Sequence, residues 1–131
     1  MQGEAPAAAR LTVVLAEPSR TQAAIIRKYL EELNSDNVHT ATSGSEAHAL
    51  VKECGAQVVI SAMHLKDMTG VQLAHALHAD PTCAHVGFVL TSSEGESAEI
   101  GVATRLPHVT VLAKPFDREL LAQAMARVQA G

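Results

Sequence analysis

The stretch VVISAMHLKDMTG, residues 58–70, decides how this chain folds. Val58, Val59 and Ile60 form a continuous β-branched run, the pattern of a strand buried on both faces. A polar loop follows, and Thr69-Gly70 then leads into a helical pattern. That is one βα unit, and in open α/β sheets the chemistry sits outside the strand's carboxyl end. Here Ala62 stands at that end, with His64 close behind and Asp67 farther along the loop. A methyl group occupies the position where a reactive side chain is expected.

Similar units recur on both sides. Five short apolar runs, at 11–16, 38–41, 57–62, 86–90 and 109–113, are separated by helical patterns with recognisable starts. Ser19 with Gln22 resembles a capping box and opens a helix carrying Ile25, Ile26, Tyr29, Leu30 and Leu33. Ser43 with Glu46 opens the next, with Ala47, Leu50, Val51 and Cys54 on one face and Gly55 as its stop. Thr69 with Gln72 opens a third, which uses Val71, Ala74 and Leu77 and is halted by Pro81. A fourth helix, over 97–104, is weakly patterned around Ile100 and Ala103. The last is capped by Asp117, with a stripe of Leu120, Leu121, Ala124, Met125 and Val128. The pattern predicts α/β architecture: a doubly wound (βα)5 fold with a five-stranded parallel sheet in one domain. Residues 1–10 read as a flexible leader and 11–131 as the domain.

Bulk properties agree. The 131 residues suffice for one core. Hydrophobic residues make up 47% with no Trp, so the core is aliphatic. A net charge of −4, spread along the chain, argues against a nucleic-acid surface. No apolar run reaches the roughly 18 residues of a membrane span, and no signal pattern opens the chain, so a cytoplasmic protein is expected. Cys54 and Cys83 are expected to be reduced thiols rather than a disulfide.

The carboxyl ends of the five strands define the residues to inspect. Glu17 and Pro18 follow the first strand, Ala62 and His64 the third, Thr91 and Ser92 the fourth, and Lys114 and Pro115 the fifth. No glycine-rich phosphate loop and no nucleophile elbow are present, so no nucleotide cofactor is expected. His75 and His78, at i and i+3, lack a third ligand and read as surface residues rather than a metal clamp.

An acid after strand one, MTG in the loop after strand three, TS after strand four and KPF after strand five together resemble the receiver domain of two-component response regulators, the CheY-like fold. The resemblance spans residues from about 11 to 129. It implies that an acidic pair after strand one holds Mg²⁺ and that an Asp ending strand three accepts a phosphoryl group from a histidine kinase. A Thr or Ser after strand four and a Lys after strand five then grip the phosphoryl oxygens. Carried over, Glu17 takes the first acidic position and Pro18 the second. Ala62 falls at the acceptor position, Thr91 is the hydroxyl and Lys114 the lysine. Pro115 follows a bond that is often cis in the family. Val111 stands where many receivers carry an aromatic residue.

The resemblance therefore implies a remnant pocket of Glu17, Pro18, Ala62, His64, Thr91, Ser92, Lys114 and Pro115, without a catalytic residue, metal or cofactor. Glu17 and Lys114 are expected to form an ion pair, Thr91 to be a solvated loop hydroxyl, His64 an exposed loop residue and Asp67 too distant to replace the acceptor. The expected role is a non-enzymatic, phosphorylation-independent interaction module. Its partner would be another protein or its own copy, docking on the face made by the fourth helix, fifth strand and last helix. A histidine kinase or an attached output domain is the expected company, with no nucleic acid and no membrane. Two alternatives stay open: phosphotransfer or Mg²⁺ chemistry relocated to Glu17 with His64 or Asp67, and a small-ligand sensor with an apolar cleft.

Overall fold

The computed structural model describes residues 11–33, 35, 37–93 and 105–130. Strands β1 (Thr12–Ala16), β2 (Asn37–Ala41), β3 (Val58–Ala62), β4 (Gly87–Ser92) and β5 (Val109–Ala113) form one sheet, in the order β2-β1-β3-β4-β5. All neighbours pair in parallel. Helices α1 (Arg20–Glu32), α2 (Gly44–Cys54), α3 (Gly70–Ala79) and α4 (Arg118–Ala130) complete the described elements. The fold is the α/β, doubly wound parallel sheet expected. The leader at 1–10 and the helix expected over 97–104 lie outside the described residues.

Strand geometry divides the core in two. Successive side chains leave a strand on opposite faces, so Val14, Val59, Phe88 and Leu90 bury on one side with Ala47, Val51, Leu73 and Leu77 of α2 and α3. Val13, Leu15, Val58, Ile60, Val89 and Leu112 bury on the other with Ile26, Leu30, Leu121 and Met125 of α1 and α4. Every residue of β3 is buried, Ser61 included, as a strand covered on both faces requires.

The helix starts follow the sequence signals. Ser19 Oγ accepts from Gln22 N at 3.3 Å and Ser43 Oγ from Glu46 N at 3.1 Å. Thr69 and Gln72 form the full reciprocal box, with Oγ1 accepting from Gln72 N and Oε1 from Thr69 N. Asp117 Oδ1 accepts from Leu120 N, and Gly55 closes α2 at φ 65°, the left-handed conformation glycine favours. Two stripe residues depart from expectation: Ile25 and Leu120 are 43% and 45% exposed. Each lies about 100° around its helix from the buried residue beside it, Ile26 or Leu121.

Gly70 sets the approach of α3 to β3. A Cβ there would meet the Ala62 carbonyl oxygen and lie 2.5 Å from Leu90 Cδ1 and 3.2 Å from Ser61 Oγ. The Gly70 amide meanwhile donates to Met63 O at 2.6 Å, closing the loop beneath the helix. Gly70→Ala is expected to destabilise the fold by about 1–3 kcal/mol, the usual penalty of overpacking. Urea unfolding of the variant against the parent measures it; an unchanged midpoint would mean that the helix start shifts freely.

Candidate functional site

Strand periodicity assembles the site. Glu17 lies two residues beyond the buried Leu15, Ala62 two beyond Ile60, Thr91 two beyond Val89 and Lys114 two beyond Leu112. All four are in phase with the α1/α4 face and reach the rim where the strands end. There they line one cleft of about 150 Å³ with Met63, His64 and Ser93. Within the sheet Ala62 pairs with Thr91, which brings the methyl and the hydroxyl side by side.

Each wall has its own fixing contacts. Glu17 N donates to Ala41 O at 2.9 Å. Its carboxylate is buried: Oε2 accepts from Ser19 N at 3.1 Å, and Oε1 has no hydrogen-bond partner. Lys114 N donates to Ser92 O at 2.7 Å, and the Lys114–Pro115 bond is cis. Among the described residues of the cleft Glu17 supplies the one carboxylate.

Three expectations need correction or completion. The Glu17–Lys114 ion pair does not form: both side chains line the cleft, but no contact within 4.0 Å joins them. The Ser19 amide, at the start of α1, holds Glu17 instead. Thr91 is not a solvated loop hydroxyl. β4 continues through Thr91 and Ser92, both buried, and Thr91 Oγ1 donates to Ser61 O at 3.3 Å. Pro18 is half-buried beside Glu17, Ser92 is buried in β4 and Pro115 is exposed, and none of the three is part of the cleft wall.

Other expectations agree with the geometry. His64 is exposed and bridges to Thr69 across the loop. Ser61 donates to the Ala62 carbonyl at 2.8 Å, lies against Gly70 and is not part of the cleft wall. His75 and His78 are exposed on α3, and both cysteines are free.

Asp67 has a structural task that the sequence did not announce. Its carboxylate accepts from Gly44 N at 2.6 Å, Ser45 N at 3.1 Å and Ser45 Oγ at 2.6 Å. The β3–α3 loop is thereby pinned to the positive end of α2. The Ser45 hydroxyl first, then the Gly44 and Ser45 amides, hold the Asp67 pKa down to about 2. The signal was the SGS stretch at 43–45, but nothing local pairs it with a residue more than twenty positions away.

A family model described as the response regulator receiver domain matches residues 13–126. The chain is 24% identical over 121 residues to a probable chemotaxis protein CheY of Rhizobium etli, covering 92% of this chain and 94% of that one. Among solved structures it superposes on a putative response regulator from Chloroflexus aurantiacus with a TM-score of 0.85 at 19% identity, covering 93% and 99% of the two chains. The receiver domain of a Pseudomonas aeruginosa sensor histidine kinase, solved with a magnesium ion coordinated in its active-site cleft, gives a TM-score of 0.81 at 16% identity, again covering 93% and 99%. At these identities the structural likeness is one of fold.

The Asp67 pin has a pH signature. Its folded pKa of about 2 lies below the unfolded value of about 3.9. Its contribution is therefore complete above about pH 4 and is lost as pH falls toward 2. Asp67→Asn should be less stable than the parent at pH 7, with the gap shrinking through that window. Urea unfolding at a series of pH values measures this; a gap independent of pH would exclude a carboxylate role.

Proposed function

The chain belongs to the response regulator receiver family, and from that premise we propose that it is a receiver whose phosphoryl chemistry has been removed, leaving a fixed protein-interaction scaffold. The observation that carries this reading is Ala62, in register with Thr91 at the carboxyl end of β3. In the receiver pattern this is the place of the phosphoryl acceptor. An alanine offers no oxygen to phosphorylate and none to coordinate a cation.

The rest of the cleft supports the same conclusion. Mg²⁺ demands near-octahedral oxygen ligation and is usually held through carboxylates and water. Glu17 offers one carboxylate, Pro18 none, and the Lys114 ammonium adds positive charge to the same cleft. This donor set does not fit Mg²⁺, and no step is assigned to the ion. Relocated chemistry is disfavoured because the Asp67 carboxylate is committed to the start of α2. The small-ligand reading gains nothing from the cleft either: about 150 Å³ falls below the roughly 300–1,000 Å³ of typical ligand pockets.

Without a ligand that distinguishes two conformations, no population shift can be driven from this cleft. The domain then presents one surface constitutively. We assign that surface to β5 and α4, the described part of the expected docking face, and its partner to a protein: a kinase, an output domain or a second copy. The domain acts without catalysis, in the cytoplasm, on neither nucleic acid nor membrane; no helix among the described residues is long and apolar enough to cross a bilayer.

Intact mass after incubation with Mg²⁺ and a small-molecule phosphodonor tests the reading. The natural protein should show no adduct, and the Ala62→Asp, Pro18→Asp double variant should gain one phosphoryl group. Ala62→Asp alone should still lack tight Mg²⁺ binding. A stoichiometric adduct on the natural protein would overturn the proposal and direct attention to a relocated acceptor.

A further inference from the structure

At the far end of the sheet from the cleft, α2 faces the turn that follows α3. His48 and Lys52 are one helical turn apart on α2. Asp80 caps α3, and the chain turns sharply there, with Cys83 N donating to Asp80 O at 2.9 Å and Val86 N to Cys83 O at 3.0 Å. Thr82 holds one carboxylate oxygen of Asp80, its amide donating at 3.0 Å and its hydroxyl at 2.8 Å to Oδ1. The other oxygen, Oδ2, is left facing α2, 2.8 Å from His48 Nε2 and 3.4 Å from Lys52 Nζ. The buried Cys83 completes the group: its Sγ, His48 Nε2 and an Asp80 carboxylate oxygen all lie within 4.8 Å of one another.

We propose that His48, Asp80 and Cys83 bind a divalent transition-metal ion of the zinc type, with water as the fourth ligand. A nitrogen, an oxygen and a sulfur suit a borderline-soft ion and do not suit Mg²⁺ or Ca²⁺. With metal–ligand bonds of roughly 2.0–2.3 Å, tetrahedral ligand atoms sit roughly 3.3–3.7 Å apart. The cluster reaches that spacing by small side-chain adjustments: His48 and Asp80 separate slightly and Cys83 moves in. The Thr82 contacts to Oδ1 supply the outer hydrogen bonds that orient a ligating carboxylate.

Charge and access agree. A thiolate and a carboxylate neutralise a dication, and Lys52, half-exposed on a flexible stem, swings away from Asp80. On binding, the Cys83 thiol releases its proton to solvent, and His48 frees Nε2 by changing tautomer or losing its second proton. Of the three ligands Cys83 borders an open groove of about 790 Å³ at the amino ends of the strands, together with Thr82 and Lys52, while His48 and Asp80 stand outside its lining. An ordinary ion pair accounts for His48, Lys52 and Asp80, and Cys83 also packs in the aliphatic core with its Sγ 3.6 Å from Thr82 Oγ1; the proposal rests on the three ligand atoms lying within 4.8 Å of one another.

Titration of the reduced 131-residue chain with Co²⁺, followed by absorption, tests the site. The expected result is one equivalent bound with a thiolate-to-cobalt charge-transfer band, together with a melting temperature that rises with metal concentration. Cys83→Ser should abolish the band. His48→Gln, at a partly buried position outside the hydrophobic core clusters, should weaken binding by more than the ~10–100-fold lost with an outer-shell partner. Absence of a one-to-one Co²⁺ complex would overturn the proposal. So would a charge-transfer band that survives Cys83→Ser, because Cys54 is the only other thiol, or an affinity unchanged by His48→Gln.

Discussion

The two-residue period of a strand is the constraint on which this molecule depends. In a sheet buried on both faces, the side chain two positions past the last core residue must emerge at the rim on the same face. Leu15, Ile60, Val89 and Leu112 fix that face by burying against α1 and α4. Glu17, Ala62, Thr91 and Lys114 are their successors in phase. A one-residue slip of any strand would send its rim residue to the α2/α3 side and exchange its core residues between two differently packed faces. The aliphatic burial that stabilises the sheet is thus also what gathers the cleft, and the scaffold is indifferent to whether the gathered side chains are reactive.

Inside the cleft the electrostatics are unusual for what remains. A buried carboxylate and an ammonium share about 150 Å³ without contact, and one Glu17 oxygen is unsatisfied. Burying an unpaired polar atom costs on the order of 1–3 kcal/mol, so the arrangement is held by backbone geometry rather than by attraction between the two. The Ser19 amide anchors one side and the Ser92 carbonyl the other. The β3–α3 loop is tied down by Asp67 at the start of α2 and by Gly70 against β3.

Much of this was legible from the residues. Continuous β-branched runs announced the strands, and Ser19, Ser43, Thr69 and Asp117 announced the helix starts, because both signals are local. The apolar run ends at Leu90, but β4 continues through Thr91 and Ser92, since threonine's branched side chain suits a strand and its hydroxyl donates to the Ser61 carbonyl across the ladder. Opposite charges at one rim suggest a Glu17–Lys114 pair, but sharing a cleft does not bring the two charges into contact. Asp67 with Ser45, and His48 with Asp80 and Cys83, were invisible because their partners are joined only by the packing of α2 against the loops around α3. Contacts across elements carry no periodic mark in the sequence.

The central claim is that this cleft no longer couples a bound phosphoryl group to the conformation of the domain. The most direct measurement is a two-dimensional amide NMR spectrum of the isotopically labelled protein, taken before and after addition of Mg²⁺ with beryllofluoride as phosphoryl mimic. The account predicts that the resonances of Ala62, Thr91, Lys114 and the β5–α4 surface do not move. Saturable shifts at Thr91 and Lys114 that spread to β5 and α4 would contradict it, because they would reveal a receiver that still binds its ligand and still responds.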